Sequence, residues 1–560
     1  MKKTATILWA LLLSLFVSLP LYAEGILAFP GAEGFGRFAT GGRGGTIYHV
    51  TNLNDSGEGS LRDAVSKPGR IIVFDVSGVI KLKSALVFSS DLTVLGQTAP
   101  GEGIQVYGER VSFSGANNII VRYMRFRMGV SGTSGKDACG VANGKNMIFD
   151  HLSALWGRDE CFSISWDKKG TVPTDITIQN SIIGQGLQSH SCGGLIQTEG
   201  GVTLYRNLYI ENKTRNPKVK GLNQFVNNVV YNWGGGGCYI MGDSEGPSWA
   251  HIENNYFMKG PWKGTAAFTR GNDNFKYYAA GNYYDTDADG TVNGHEMTDA
   301  EYDASGSYRI SDLETFDGVS RPKVHPEIAN MMSAEEALMW IIDSVGPCLP
   351  VRDEVDQYLI DELKSFGKKG STNGISSERD LPHGGTGTLY GGYKPLDTDG
   401  DGIPDEWELA NGLNPNDPSD AVAIADNGYA HIENYSFSIT SAYPYIKNPS
   451  ELKVAAQEKE SIALSWVDNA DNESGFVIEI STDNKTFTEA GRVAANVTTH
   501  TVSGLIPETV YYFRLKAYSD EGVNSLYTST LTTETIGDPS APKLSENPSP
   551  AVDAEVGTAN

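Results

Sequence analysis

Between residues 110 and 285 the chain restates one short pattern. Its copies are Asn118-Ile-Ile-Val-Arg-Tyr-Met, Asn146-Met-Ile-Phe-Asp-His-Leu, Asp175-Ile-Thr-Ile-Gln-Asn-Ser, Gly201-Val-Thr-Leu-Tyr-Arg-Asn-Leu, Gln224-Phe-Val-Asn-Asn-Val-Val, Ala250-His-Ile-Glu-Asn-Asn-Tyr and Phe275-Lys-Tyr-Tyr-Ala-Ala-Gly-Asn. With Tyr123, His151, Asn180, Asn207, Asn228, Asn255 and Asn282 as equivalent points, the steps are 28, 29, 27, 21, 27 and 27 residues. Such a period marks a solenoid, whose units bury their apolar faces only by stacking on one another. Each unit holds short β-branched and aromatic runs broken by Asn and Gly, without helical periodicity, so a turn consists of strands and corners rather than βαβ. The expected fold is all-β, a parallel β-helix. Stacking places apolar residues in inward ladders and lets corner Asn side chains bond along the axis, so the Asn-Asn pairs read as structural. The groove along the outside of such a coil suits an extended polymer.

At 560 residues the chain should divide into about two to four domains. A count of 64 Gly and 26 Tyr, with 20% charged residues, fits a turn-rich β protein. The net charge of −25 gives no basic footprint for nucleic acid, and it would repel a polyanion unless local cations or a bridging metal intervened. Residues 1–23 carry Met1-Lys-Lys, an apolar run and Tyr22-Ala23 before Glu24, the pattern of a secretory signal peptide. The expected protein is therefore exported, to the periplasm or outside the cell. No other stretch is long enough to span a membrane. Five cysteines without a CxxC pair argue against zinc, and Cys139, Cys161, Cys192 and Cys238 fall at roughly one-repeat intervals, as small buried residues would.

Segment 212–220, Asn-Lys-Thr-Arg-Asn-Pro-Lys-Val-Lys, runs a strand pattern into cations and a proline. Upstream lie the acids of Lys136-Asp137-Ala138 and Arg158-Asp159-Glu160. Cations beside clustered acids in one solenoid suggest a site for an anionic polymer with a bound metal. These segments, with Phe29-Pro-Gly-Ala-Glu-Gly-Phe-Gly36 and Phe149-Asp-His-Leu-Ser-Ala-Leu-Trp-Gly-Arg-Asp-Glu160, resemble the pectate lyase family 1 polysaccharide lyases over about residues 26–345, with an arm to 390.

The resemblance implies a right-handed coil and a calcium ion bridging protein and uronate carboxylate, with an arginine abstracting the C5 proton for β-elimination. On it, Arg215 matches the base, Asp137 and Asp159 match calcium ligands with Glu160 beside them, and Lys213, Lys220 and His190 would bind pectate. Lys220 stands where the family often has a second arginine, and Cys192 where it often has a lysine. The position near Ser163 lacks the family's further carboxylate, and Asp150-His151 matches a motif of mainly structural role. Removing a proton next to a carboxylate concentrates charge on an anion, so an oxygen-ligated hard cation is needed to absorb it. Guanidinium normally stays protonated. The implied answer is that the metal and the cations Lys213 and Lys220 lower its proton affinity, with a high working pH.

Segment 397–408, Asp-Thr-Asp-Gly-Asp-Gly-Ile-Pro-Asp-Glu-Trp-Glu, satisfies the D-x-D-x-D-G-x5-E calcium loop. Asp397, Asp399, Asp401, Asp405 and Glu408 are its expected ligands, in a unit spanning 391–448 that also resembles a thrombospondin type 3 loop. Asp285, Asp287, Asp289 and Glu296 fit the same template with Asn293 at its ninth place, either as a second calcium loop or as a polar connection between turns. Residues 449–536 alternate as strands and resemble a fibronectin type III domain, a β-sandwich with Trp466 and Tyr511 in its core. Residues 537–560 read as linker.

The function implied is a monomeric, exported, calcium-dependent lyase acting on de-esterified α-1,4-galacturonan. Two alternatives are a pectin lyase acting on methyl esters, against which Asp137 and Asp159 speak, and a non-catalytic protein that holds cell-wall polysaccharide. Galacturonan hydrolases would need Asn-Thr-Asp and Arg-Ile-Lys motifs, which the chain lacks.

Overall fold

The computed structural model describes residues 25–242, 246–302 and 325–537, and the backbone of 308–309. The signal-peptide segment and most of the tail lie outside these residues. A parallel β-solenoid occupies the first half. One turn is laid down by Lys145–Asp150, Ser153–Leu155 and Phe162–Ser165, and the next by Thr174–Gln179, Ile182–Gly184 and Leu195–Gln197. Corresponding strands pair in parallel from turn to turn, forming three faces.

Period-two alternation within each strand sends every second side chain inward. On the first face Leu92 pairs with Ile119, Ile119 with Met147, Met147 with Ile176 and Ile176 with Val202, all fully buried. In the same core Phe149 meets Phe113 edge-on at 4.7 Å and Phe162 edge-on at 5.1 Å.

The corner between the first and second faces takes two residues. Tyr123, His151, Asn180, Arg206, Asn227 and Asn254 hold its first position at φ between 52° and 56°, the left-handed region that Asn tolerates best among side-chain-bearing residues. Asn207, Asn228, Asn255 and Asn282 hold the second, turned inward and fully buried. Tyr123, His151 and Asn180 thus sit one place ahead of the asparagines with which the sequence aligned them. Asn228 Nδ2 donates to Asn255 Oδ1 at 3.1 Å, and Asn255 Nδ2 donates to Asn282 Oδ1 at 2.8 Å. Each Oδ1 also accepts the backbone N–H of the preceding asparagine. The short 21-residue step has its own cause: Lys218–Val226 is one continuous strand that pairs with both the third face and the first, where other turns insert a loop.

Outside the coil lie helices that the strand periodicity did not announce. Ala334–Ser344 starts at a capping box of Ser333 and Glu336, and Glu354–Leu363 starts at Asp353, whose carboxylate accepts from Asp356 N–H. Their Leu338, Ile341, Val355 and Leu359 bury Leu155, Ile182, Leu208 and Val229 on the outer side of the second face. Arg127, fully buried, ties the arm down through Asp353 at 2.6 Å and Asp356 at 2.8 Å. Helices Asp405–Asn411 and His431–Ser438 belong to a segment packed on Ile71, Val73 and Leu95 of the first turns. Two antiparallel sheets, of three and four strands, then enclose Trp466, Phe476, Tyr511 and Phe513. Tyr511 Oη accepts from Ile506 N–H at 3.0 Å.

Asn255→Ala strands the donors of Asn228 and the acceptors at Phe225 and Asn282 inside the coil. At about 1–3 kcal/mol for each buried group left unpaired, the loss in stability should reach roughly 2–4 kcal/mol. Urea unfolding measures it, and a loss below about 0.5 kcal/mol would contradict the ladder's role.

Candidate active site

The loops that lead from the second face to the third deliver the charged residues in adjacent rungs. Ala138 N–H donates to Glu160 O at 2.9 Å, Glu160 pairs with Cys192, and Cys192 pairs with Thr214. Asp159, Ser191 and Lys213 therefore follow one another up the stack, Asp137 lies one rung before Glu160, and Glu160, Cys192 and Arg215 gather on the same flank. Arg215 backbone is clamped between rungs: its N–H donates to Gly237 O at 3.2 Å and its carbonyl accepts from Gly194 N–H at 2.8 Å. At φ 58° it occupies the left-handed region, and the clamp holds it there against a cost of about 1–2 kcal/mol. Its guanidinium Nη1 reaches across the rung of Cys192 to pair with Glu160 Oε1.

The acids crowd one another. Asp137 Oδ1 accepts from Glu160 N–H at 3.3 Å. Burial, then the neighbouring Asp137, pushes the Glu160 carboxyl up to about 8. Burial also raises Asp137, while hydrogen bonds with Glu160 and, less strongly, Arg110 one rung earlier draw it back. Burial pulls Arg215 down, yet Cys192, Glu160 and Asp159 together hold it above its ordinary range. The sequence led to the expectation of cations around this guanidinium; in the structure the groups that act on it are acidic. Lys213 N–H donates to Ser191 Oγ at 3.1 Å, and Lys220 lies in register with Gln197. His190 Nε2 sits 2.9 Å from Asp159 Oδ1. Ser163, buried, accepts from Leu195 N–H at 3.3 Å.

These residues suit a hard cation in part. Asp159, Glu160, His190 and Cys192 bring ligand atoms within 4.8 Å of one another, and Asp159 Oδ1 is buried without a hydrogen bond, although His190 lies within ion-pair distance of it. The carboxylates of Asp137, Asp159 and Glu160 fit calcium; the thiol of Cys192, fully buried, is the softer donor and fits it poorly. Asp150 sits elsewhere, at a corner of the first face, accepting from Asn180 at 2.7 Å and Gln179 at 3.0 Å; burial raises its carboxyl, but His151 at 3.0 Å and Arg122 at 2.8 Å hold it far below the usual range. All five cysteines are unpaired.

Of the loop acids, Asp397, Asp399 and Asp401 converge, and Asp401 converges in turn with Glu408 and Asp420. Asp405 stands outside both groups: its oxygens accept Thr398 N–H at 2.7 Å and Thr398 Oγ1–H at 2.6 Å. Asp420 was missed in the sequence because it lies beyond the motif. In the other loop, Asp289 accepts from Thr291 N–H at 2.8 Å, and Asn293 donates to Asp287 at 3.1 Å. Glu296 is exposed on the strand His295–Glu296, and Asp285 is buried with both carboxylate oxygens unpartnered. Among the described residues, the acids that come within 4.8 Å of one another include none from this loop.

The fold is that of a parallel β-solenoid protein with a clamped arginine beside clustered acids, and sequence comparison identifies the family. A probable pectate lyase C of Aspergillus flavus is 53% identical over 423 residues, covering 76% of this chain and 96% of that protein. One of Emericella nidulans is 54% identical over 414 residues, covering 74% and 93%. Residues 447–534 match the fibronectin type III domain. The chain belongs to the pectate lyase family. Among the described residues no helix is long and apolar enough to cross a membrane.

With Glu160 raised from 4.5 to about 8 in the folded state, the folded protein holds this proton more tightly than the unfolded chain does. That contribution to stability is complete below pH 4.5 and is lost as pH rises through 8. In chelator, Glu160→Gln should therefore lose less stability than wild type between pH 5 and pH 8 in urea unfolding. Parallel declines would contradict the burial of this carboxyl with Asp137.

Proposed function

We propose that the protein is an exported, calcium-dependent pectate lyase that cleaves de-esterified α-1,4-galacturonan by β-elimination. The observation that carries this reading is the reach of Arg215 across one rung to Glu160, on the flank that also bears Asp137 and Asp159. Membership of the pectate lyase family supports it. Calcium held by Asp137, Asp159 and Glu160 would neutralise the uronate carboxylate and absorb the charge that grows on it as the neighbouring C–H bond breaks.

Arg215 is the base. It takes the C5 proton, the C–H electron pair becomes the C4–C5 double bond, the C4–O bond breaks, and the departing oxygen is protonated from solvent. The acid neighbours hold the guanidinium charged at rest, so the proton-free form becomes accessible only when their charge is engaged elsewhere and at high pH. The clamp on the Arg215 backbone keeps the side chain aimed while this happens. Lys213, Lys220 and His190 would pair with further uronates along the groove. The apolar run at residues 7–21 behind Met1-Lys-Lys supports export.

Arg215→Ala should lower kcat on polygalacturonate roughly 10²–10⁴-fold, the usual worth of a general base, followed by the ultraviolet absorbance of the unsaturated product. Activity within a few-fold of wild type would remove Arg215 from the role. Wild type should yield that signal with calcium and lose it with chelator; reducing ends without the signal would mean hydrolysis.

A further inference from the structure

The segment that carries Asp397 and Asp420 contains a second cluster of acids, remote in sequence from Arg215. We propose that Asp397, Asp399, Asp401, Glu408 and Asp420 form a calcium site that clamps this segment onto the first turns of the coil. The site does not depend on the lyase reading.

The loop uses one oxygen of most of these acids to shape itself. Asp397 accepts from Gly400 N–H at 2.8 Å and Gly402 N–H at 3.1 Å, Asp399 Oδ1 from Asp401 N–H at 3.3 Å, and Asp401 Oδ1 from Ile403 N–H at 2.9 Å. Asp420 Oδ2 accepts from Asn414 N–H at 3.0 Å. The remaining oxygens, Asp399 Oδ2, Asp401 Oδ2 and Asp420 Oδ1, are buried and have no hydrogen-bond donor. Glu408 goes further: the residue is fully buried, and neither of its carboxylate oxygens has a donor. A buried carboxylate without a partner is strongly unfavourable unless a cation or a donor meets it. Here several face one another within 4.8 Å, with Asp401 shared between the two groups. No nitrogen or sulfur enters either group, and flexible carboxylates in that number suit calcium rather than zinc or the octahedral demands of magnesium.

The cage stands directly behind the contact with the coil. Ile403 and Ala421, neighbours of Asp401 and Asp420, pack with Ile432 and Tyr435 on Ile71, Val73 and Leu95. Gly402, at φ +90°, lies so close that a Cβ there would meet Val73 at 3.2 Å. Lys394 bridges the two bodies, 3.3 Å from Asp397 and 3.3 Å from Asp75 on the coil. A cation that draws Glu408 and Asp420 toward the loop therefore fixes the surface that grips the coil.

The test is calorimetric titration of the chelator-treated full chain with calcium chloride, paired with thermal unfolding with and without the ion. Wild type should bind one more equivalent than Asp420→Asn or Glu408→Gln, and its calcium-induced rise in unfolding midpoint should be lost in both variants. Asp159→Asn should keep that rise, which separates this site from the catalytic one. Equal stoichiometry and an equal rise in wild type and Glu408→Gln would overturn the proposal. So would crystals of wild type grown in calcium that show no ion among the five carboxylates.

Discussion

Everything in the coil follows from the stacking of parallel strands about 4.8 Å apart. A residue at a given place in one turn has, as its neighbours in space, the residues at the same place in the turns above and below. Apolar places become the ladder from Leu92 to Val202, and amide places become the chain from Asn207 to Asn282. Charged places become the stack of Asp137, Asp159 and Glu160 below Arg215. The same rule that stabilises the amide ladder makes the acid stack costly, since like charges are brought to the distance at which amides bond. A site for a cation and an anionic sugar is one way in which that repulsion is relieved.

The coil is also held from outside. Two helices bury the second face and pin it through Arg127, and a further segment grips the first turns. Arg215 lies on neither of these packed surfaces but on a loop that leads from the second face to the third.

The period of the repeat revealed the coil because stacking forces every turn to nearly one length. The 21-residue step was visible too, though only the structure shows its cause in a strand that runs from the third face into the first without a loop. The one-place offset of Tyr123, His151 and Asn180 was hidden because either residue of a two-residue corner can carry Asn. The spacing of Ser333 and Glu336 is a helix-start cue that the dominant strand pattern hid from the sequence reading. At the site, the order of the motifs in sequence indicated which residues share a flank. It misjudged the surroundings of Arg215, since Lys213 and Lys220 are its neighbours along the chain, whereas its neighbours in space come from the rungs of Cys192 and Glu160. Asp420 could not be read from the loop motif, because hydrophobic contact with the coil brings it there.

The central claim is that Arg215 and the stacked acids hold one uronate between them. A crystal structure of Arg215→Lys protein with calcium and a galacturonate oligomer tests it most directly. One sugar should lie with its carboxylate over Asp137, Asp159 and Glu160 and its C5 hydrogen facing the substituted side chain. An oligomer lying on another face of the coil, or with C5 turned away from position 215, would contradict it.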